Sequence, residues 1–217
     1  MTTKLTRLVP LSGIAFVLAM IGVISQEGEE LPDGATSQEV LAHWAARTDG
    51  RLVVTTLAAF AALFLVAFSA SLRSALRAHE PAEASASAVA YAGGVIAAVG
   101  IVVSGMVQLA ASRAGGDGAA EVVLPLDHLA QSTWVPVTAG LGVLLLATGA
   151  GAIHSGALPK VLAWPAVLLG LLLLTPGGIV AFMLSPLWFL AASIVLFRRT
   201  SRSTPAQEPG SYAVASR

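Results

Sequence analysis

Long apolar runs alternate with short polar stretches along the whole chain. The longest run, nearly forty residues, lies between Leu158 and Arg199, with Lys160 at one end and Arg198 and Arg199 at the other. A helix crossing a bilayer needs about 20 apolar residues, so this run is too long for one span and long enough for two. A hairpin also brings both cationic ends to one side, as the positive-inside rule prefers. Thr175-Pro176-Gly177-Gly178 supplies the Pro/Gly punctuation for the turn, which predicts arms over 159–175 and 179–197. The first arm is short. From Val161 to Thr175 it reaches only about 22 Å at 1.5 Å per residue, against a hydrocarbon core of about 30 Å.

Four earlier runs predict spans over 8–24, 52–71, 88–111 and 134–153. Lys4 and Arg7 precede the first. Val23 and Ser25 make a poor cleavage site, so an uncleaved helix with a cytoplasmic N-terminus is expected. The second span is expected to continue past the membrane through Arg73 and Arg77 until Pro81 stops it. Those arginines are four apart on one helix face, placed for anionic headgroups. The third span is rich in small residues. Gly94 with Ala98 and Gly100 with Ser104 give spacings that let helix backbones approach closely, which places this helix at the centre of a bundle. Trp134 marks the outer interface of the fourth span, and residues 154–159 form a tight inner turn.

The polar stretches carry their own signals. Residues 25–50 are acidic. Within them Thr36 and Glu39 form a capping box that starts a short helix. Leu41, Trp44, Ala45 and Thr48 recur on one face, which predicts an amphipathic helix lying flat at the membrane interface and ending at Asp49-Gly50. Gly115, Gly116 and Gly118 predict a flexible start to the second outer loop, followed by a half-buried segment over 121–133. The tail over 200–217 has almost no large apolar residue and is expected to be disordered.

Composition sharpens this picture. Of 217 residues 56% are apolar and 11% charged, where globular proteins have about 45–50% and about 25%. The surplus lies in blocks, which means membrane spans. Zero net charge gives no electrostatic basis for a nucleic-acid partner. The absence of cysteine excludes disulfides, thiolate metal sites and a cysteine nucleophile in this chain. The predicted threading places 9 of 12 cations inside (Lys4, Arg7, Arg73, Arg77, Lys160, Arg198, Arg199, Arg202, Arg217) and leaves Arg47, Arg51 and Arg113 outside. The acids invert, nine outside and three inside. The expected fold is all-α: an integral membrane six-helix bundle in the cell membrane, both termini cytoplasmic, with the amphipathic helix in the first outer loop. A five-span rival reads the last hairpin as one long tilted helix, but tilt absorbs only a few extra residues.

A further set of residues carries a resemblance: Gly156-Ala157-Leu158-Pro159-Lys160, Leu162 to Pro165, Pro176-Gly177, Phe182, Pro186-Leu187-Trp188, Ser193 and Arg198-Arg199, with Glu39-Val40 and Asp49-Gly50-Arg51 upstream. In these the chain resembles uncharacterised multi-pass membrane proteins of actinobacterial type, assigned to domains of unknown function. The resemblance implies the six-helix topology and no activity.

Candidate chemistry is sparse. Apart from Lys160 at the mouth of the fifth, none of the predicted spans contains Asp, Glu, Lys, Arg or His, the usual marks of proton and ion paths. Gln108 is the strongest polar group at membrane depth, read first as a helix–helix hydrogen bond. With Ser104 it could instead line a polar path. Pro186 interrupts the last span and frees the carbonyl of Phe182, which makes a packed kink or, as in transporters, a substrate site. On a helix His128 and Ser132 share a face, but a hydrolytic pair also needs an orienting acid and an oxyanion hole. His43, Asp127 and His128, with Glu27, Glu29 and Glu30, lie on the outer side and are weak candidates for a divalent cation. Trp44, Trp134, Trp164, Arg73, Arg77, Lys160, Arg198 and Arg199 read as interfacial anchors. No cofactor is expected. The partners expected are the bilayer, with anionic headgroups on the cytoplasmic side, and another membrane protein or a second copy. The favoured reading is a non-catalytic scaffold, sensor or accessory. A small-solute transporter or channel and an enzyme built on the outer loops are the alternatives.

Overall fold

The structure, a computed structural model, describes residues 8–26, 34–81, 83–176 and 178–202. They form α-helices joined by short turns, with no strand among the described residues. A 3-10 turn, Val9–Leu11, leads into α1 (Ser12–Ile24). Then come α2 (Ser37–Ala45), α3 (Thr48–Arg77), α4 (Ala86–Gly116), α5 (Ala120–Ser132), α6 (Trp134–Ser155), α7 (Lys160–Leu173) and α8 (Gly178–Arg202). Four stretches are long and apolar enough to cross a membrane: Thr48–Arg77, Ala86–Gly116, Ala120–Ser155, which contains α6, and Gly178–Arg199. Val9–Ile24 and Lys160–Leu173 are shorter apolar helices.

Successive apolar helices pack against one another in chain order, α1 on α3, α3 on α4, α4 on α6, α6 on α7 and α7 on α8. Glycine contacts show the pairing. Gly13 faces Phe68 and Ser193, whereas Gly22 faces Leu57, so α1 runs against α3 with its first turn beside the C-terminal part of α8. Gly94 meets Ser69, and Gly105 meets Thr55 and Ala58. On its other side α4 meets α6 through Gly93, Gly100 and Gly140, and α6 meets α7 through Gly142, Gly149 and Gly170. The α4–α6 and α3–α4 interfaces are the most extensive. The small-residue helix thus does lie between two partners. Its tightest seam is with α6, whose own glycines complete it: a Cβ on Gly140 would come within 2.3 Å of the Ala97 amide nitrogen. Such approach replaces the hydrophobic driving force that lipid removes. On α8, Phe189 packs against Phe16 and Phe68, and Trp188 against Phe68, which ties α8 to α1 and α3.

Most element limits fall close to those expected. The last apolar run breaks at Leu174–Pro176, and the Trp188 indole donates back across the hairpin to the Leu162 carbonyl at 2.9 Å. Two helices, not one tilted rod, therefore occupy it. Gly156 ends α6 in the left-handed conformation at φ 69°, which glycine adopts without strain.

Three local expectations are corrected. Asp49-Gly50 does not end the short helix. Both lie in the first turn of α3, where Asp49 suits the positive end of the helix dipole. Gly115 and Gly116 are not a flexible loop start: both are helical, and Gly115 is pressed against the backbone of Trp44 and Ala45. Helix α8 runs to Arg202, three residues into the stretch assigned to the tail. The rest of that tail, the cleavage question at the N-terminus, and Lys4, Arg7, Glu27, Glu29, Glu30 and Asp33 lie outside the described residues.

Candidate functional site

One end of the helix bundle carries a folded cap. Thr36 starts α2 as expected: its hydroxyl accepts the Glu39 amide, and the Glu39 carboxylate accepts the Thr36 amide at 2.7 Å. The Thr36 amide, and then its hydroxyl, donate to the Glu39 carboxylate and hold that carboxyl below its usual range. Helix α2 then lies on α4 and α5. Val40, Trp44, Ala111, Val123 and Ala130 make a small apolar core there, separate from that of the bundle.

Trp44 is the centre of this cap and is buried, at 5% exposure. The apolar stripe of α2 is therefore turned to protein, not to lipid, a correction to its reading as an interfacial anchor. The physical reason is the indole N–H. It donates to Asp127 Oδ1 at 2.9 Å, so the buried indole finds its hydrogen-bond partner within the protein. The Arg51 guanidinium lies over the same ring, 5.5 Å from its centroid, and is itself buried. A cation over an indole face is held by the ring quadrupole. Arg51 was placed by sequence at the start of a span with no special role; its arrival under Trp44 depends on the docking of α2, which periodicity does not encode.

His43 packs edge-on to Trp44, with ring centroids 5.6 Å apart. Burial, and then Arg47 and Arg51, push its pKa down, against the opposing pull of Asp127. The Asp127 carboxylate is engaged on both oxygens, by Trp44 on Oδ1 and by the Gln131 amide on Oδ2 at 3.0 Å. His128 is exposed. The Ser132 hydroxyl donates to the His128 backbone carbonyl at 3.0 Å and not to its ring, so the possible hydrolytic pair is not formed. Among the described residues no three of His, Asp and Glu gather closely enough to hold a metal ion.

Beneath the cap lies the polar group expected at depth. The Gln108 amide donates to Ser104 Oγ at 3.2 Å, within α4. The bond between elements is made by Ser104, 2.9 Å from the Thr133 hydroxyl at the α5–α6 junction. That hydroxyl also donates to the Ala130 carbonyl. The Gln108 side chain thus bonds within α4, and the contact between elements expected of it is made by Ser104 instead. Gln108 and Ser104 border a hollow of about 30 Å3, lined also by Thr55, Trp134 and Val23. That is about the volume of one water molecule.

The carbonyl freed by Pro186 is not open. The Ser185 hydroxyl donates to the Phe182 carbonyl at 2.8 Å, in the buried interior, so the kink carries its own donor. Trp134 is half-buried edge-on to Phe182, while Trp164 is 61% exposed on α7. At the opposite end of the bundle from the cap, Arg73 lies over the Tyr91 ring at 5.3 Å. Arg77 reaches Glu80 at 3.8 Å and the Ala84 carbonyl at 3.5 Å. Glu80 in turn accepts the amide and hydroxyl of Ser87 in the first turn of α4, which lowers its pKa. Lys160 and Arg198 are exposed, and Arg199 donates to the Ala157 carbonyl. No protein-family model matches the chain, and no curated protein or solved structure does.

Proposed function

We propose that the chain is a six-span protein of the cell membrane, both ends cytoplasmic, that works without catalysis as a scaffold, sensor or accessory to a membrane partner. The four long helices and the two shorter apolar ones, Val9–Ile24 and Lys160–Leu173, make up the six. The shorter two sit antiparallel to neighbours and present Leu18, Ile21, Val161, Trp164 and Leu168 outward. Local bilayer thinning accommodates their length at modest cost. Arg73, Arg77, Lys160, Arg198 and Arg199 share one end, which supports a cytoplasmic assignment for it. The chain's resemblance to multi-pass proteins of unknown function belongs to the same reading.

One observation carries the functional part: the outer end is closed by a docked cap over glycine-tight seams, and the mostly apolar hollow beneath it, bordered by Gln108 and Ser104, is only about 30 Å3. Small-molecule sites usually occupy about 300–1,000 Å3. A channel for water or a very small solute is the second reading, favoured by the bonded Gln108–Ser104 pair at that hollow. Reconstitution into liposomes separates the two. The expected result is solute permeability equal to that of protein-free vesicles, with a membrane protein or second copy recovered in stoichiometric amount after cross-linking in native membranes. Flux that disappears in Gln108→Leu would overturn the scaffold reading.

A further inference from the structure

The α7–α8 hairpin is splayed on its outward side. A groove of about 360 Å3 runs between the two helices, lined by Leu162, Pro165 and Leu168 on α7 and by Leu184, Leu187 and Ala191 on α8. Trp188 forms its floor, fixed there by its bond to the Leu162 carbonyl. From Leu162 to Leu169 the groove extends about 10 Å along the helix. Leu184, Leu187 and Ala191 recur at helical spacing, and the same stripe continues to Arg198. Arg198 lies seven residues beyond Ala191, close to two turns, and so on the same face. The exposed Ile194 covers the surface between. Lys160 is exposed on the adjoining first turn of α7. Among the described residues no carboxylate pairs with Arg198 or Lys160.

We propose that this groove seats one acyl chain of an anionic phospholipid, whose phosphate is held by Arg198 with Lys160 beside it. The inference rests on the membrane reading above and names a partner for one face of it. Two features favour lipid over a second helix. Helices associate in membranes through small residues and interhelical hydrogen bonds. This groove offers Leu and Pro walls with a single Ala, and the glycines are already used in the α4–α6 and α6–α7 seams. A flexible hydrocarbon chain fills such a slot without needing backbone approach. The charge at its inner mouth has one sign, and a basic pocket between helices on the cytoplasmic side suits an anionic headgroup.

The test is native mass spectrometry of the full chain, extracted in mild detergent and offered equal phosphatidylglycerol and phosphatidylcholine. The expected result is one phosphatidylglycerol retained per chain in preference to phosphatidylcholine. Arg198→Gln should lower that retention about fivefold, the equivalent of about 1 kcal/mol per basic side chain at an anionic surface. Ala191→Leu, which fills the groove and leaves the charge, should also lower it. Arg73→Gln, at the same end but away from the groove, should change it little. No preference for phosphatidylglycerol, or equal losses in Arg198→Gln and Arg73→Gln, would overturn the seat. Retention unchanged in Ala191→Leu would overturn it as well, by showing a headgroup contact without a chain. Recovery of the protein in the aqueous fraction without detergent would instead remove the membrane reading beneath it.

Discussion

Gly140→Ala adds one carbon at the tightest point of the bundle. Its Cβ would stand 2.3 Å from the Ala97 nitrogen and 2.7 Å from the Gly93 oxygen. Both are main-chain atoms of α4, so neither can swing aside, and the α4–α6 seam must open. Overpacking a close interior costs about 1–3 kcal/mol, and a contact against rigid backbone belongs at the upper end. Alanine also gains up to about 1 kcal/mol over glycine in a helix. The expected net loss is roughly 2 kcal/mol. Gly105→Ala is the internal control. There the new Cβ meets Ala58 and Thr55 at 3.5 Å, an ordinary contact, so the propensity gain stands and stability should be unchanged or rise by up to about 1 kcal/mol. Reversible unfolding of both variants in bicelles with added denaturing detergent reads the difference. Gly93→Ala combined with Gly140→Ala should cost less than the sum, since one seam opens once. If Gly140→Ala is as stable as Gly105→Ala, the close α4–α6 approach does not exist.

Asp127→Ala should cost about 1.5–3 kcal/mol locally, the worth of a hydrogen bond to a charged group. Hydrogen exchange should then rise over residues 36–46 and 120–132 and stay unchanged in the α4–α6 seam; uniform change would refute an independently docked cap. Ser185→Ala should cost about 1 kcal/mol, because the Phe182 carbonyl loses its donor. The cost should vanish in a Pro186→Ala background, where the helix amide returns; a double-mutant cycle with no coupling would contradict this. Acid should loosen the cap in two steps. His43 has a depressed folded pKa, so protonation favours undocking: stability is full above the ordinary value of 6.5 and falls as pH drops below it. Glu39 contributes stability that is present above its ordinary 4.5 and is lost as pH falls through its lower folded value. Exchange protection of α2, corrected for intrinsic rates, should follow both steps, and His43→Gln should abolish the upper one.

The long helices were legible because the bilayer imposes length and apolarity residue by residue. The start of α2 was legible for a similar reason: a capping box is complete within four residues. The partner of the α2 stripe was not. An apolar face with a Trp reads the same whether lipid or protein covers it, and what decides is Asp127, 83 positions away. Gly115 shows the same limit. As a string, Gly115-Gly116 suggests flexibility; in place, Gly115 is the surface on which Trp44 lands. Gln108 stands out in the sequence as the strongest polar group of an apolar run, yet the bridge between elements passes through Ser104 to Thr133. Pro186 frees the Phe182 carbonyl, and the adjacent Ser185 supplies the donor that takes it up.

The proposed topology is a six-span membrane bundle with its cationic end in the cytoplasm. Single cysteines at Asp117 on the cap side, and at Glu83 and His154 on the other, test it in an otherwise cysteine-free chain. All three positions are exposed, and none has the left-handed backbone found at Gly118 and Gly156. With a membrane-impermeant maleimide on intact cells, Asp117→Cys should label, while Glu83→Cys and His154→Cys should label only after permeabilisation. Labelling of Glu83→Cys or His154→Cys from outside would contradict the account.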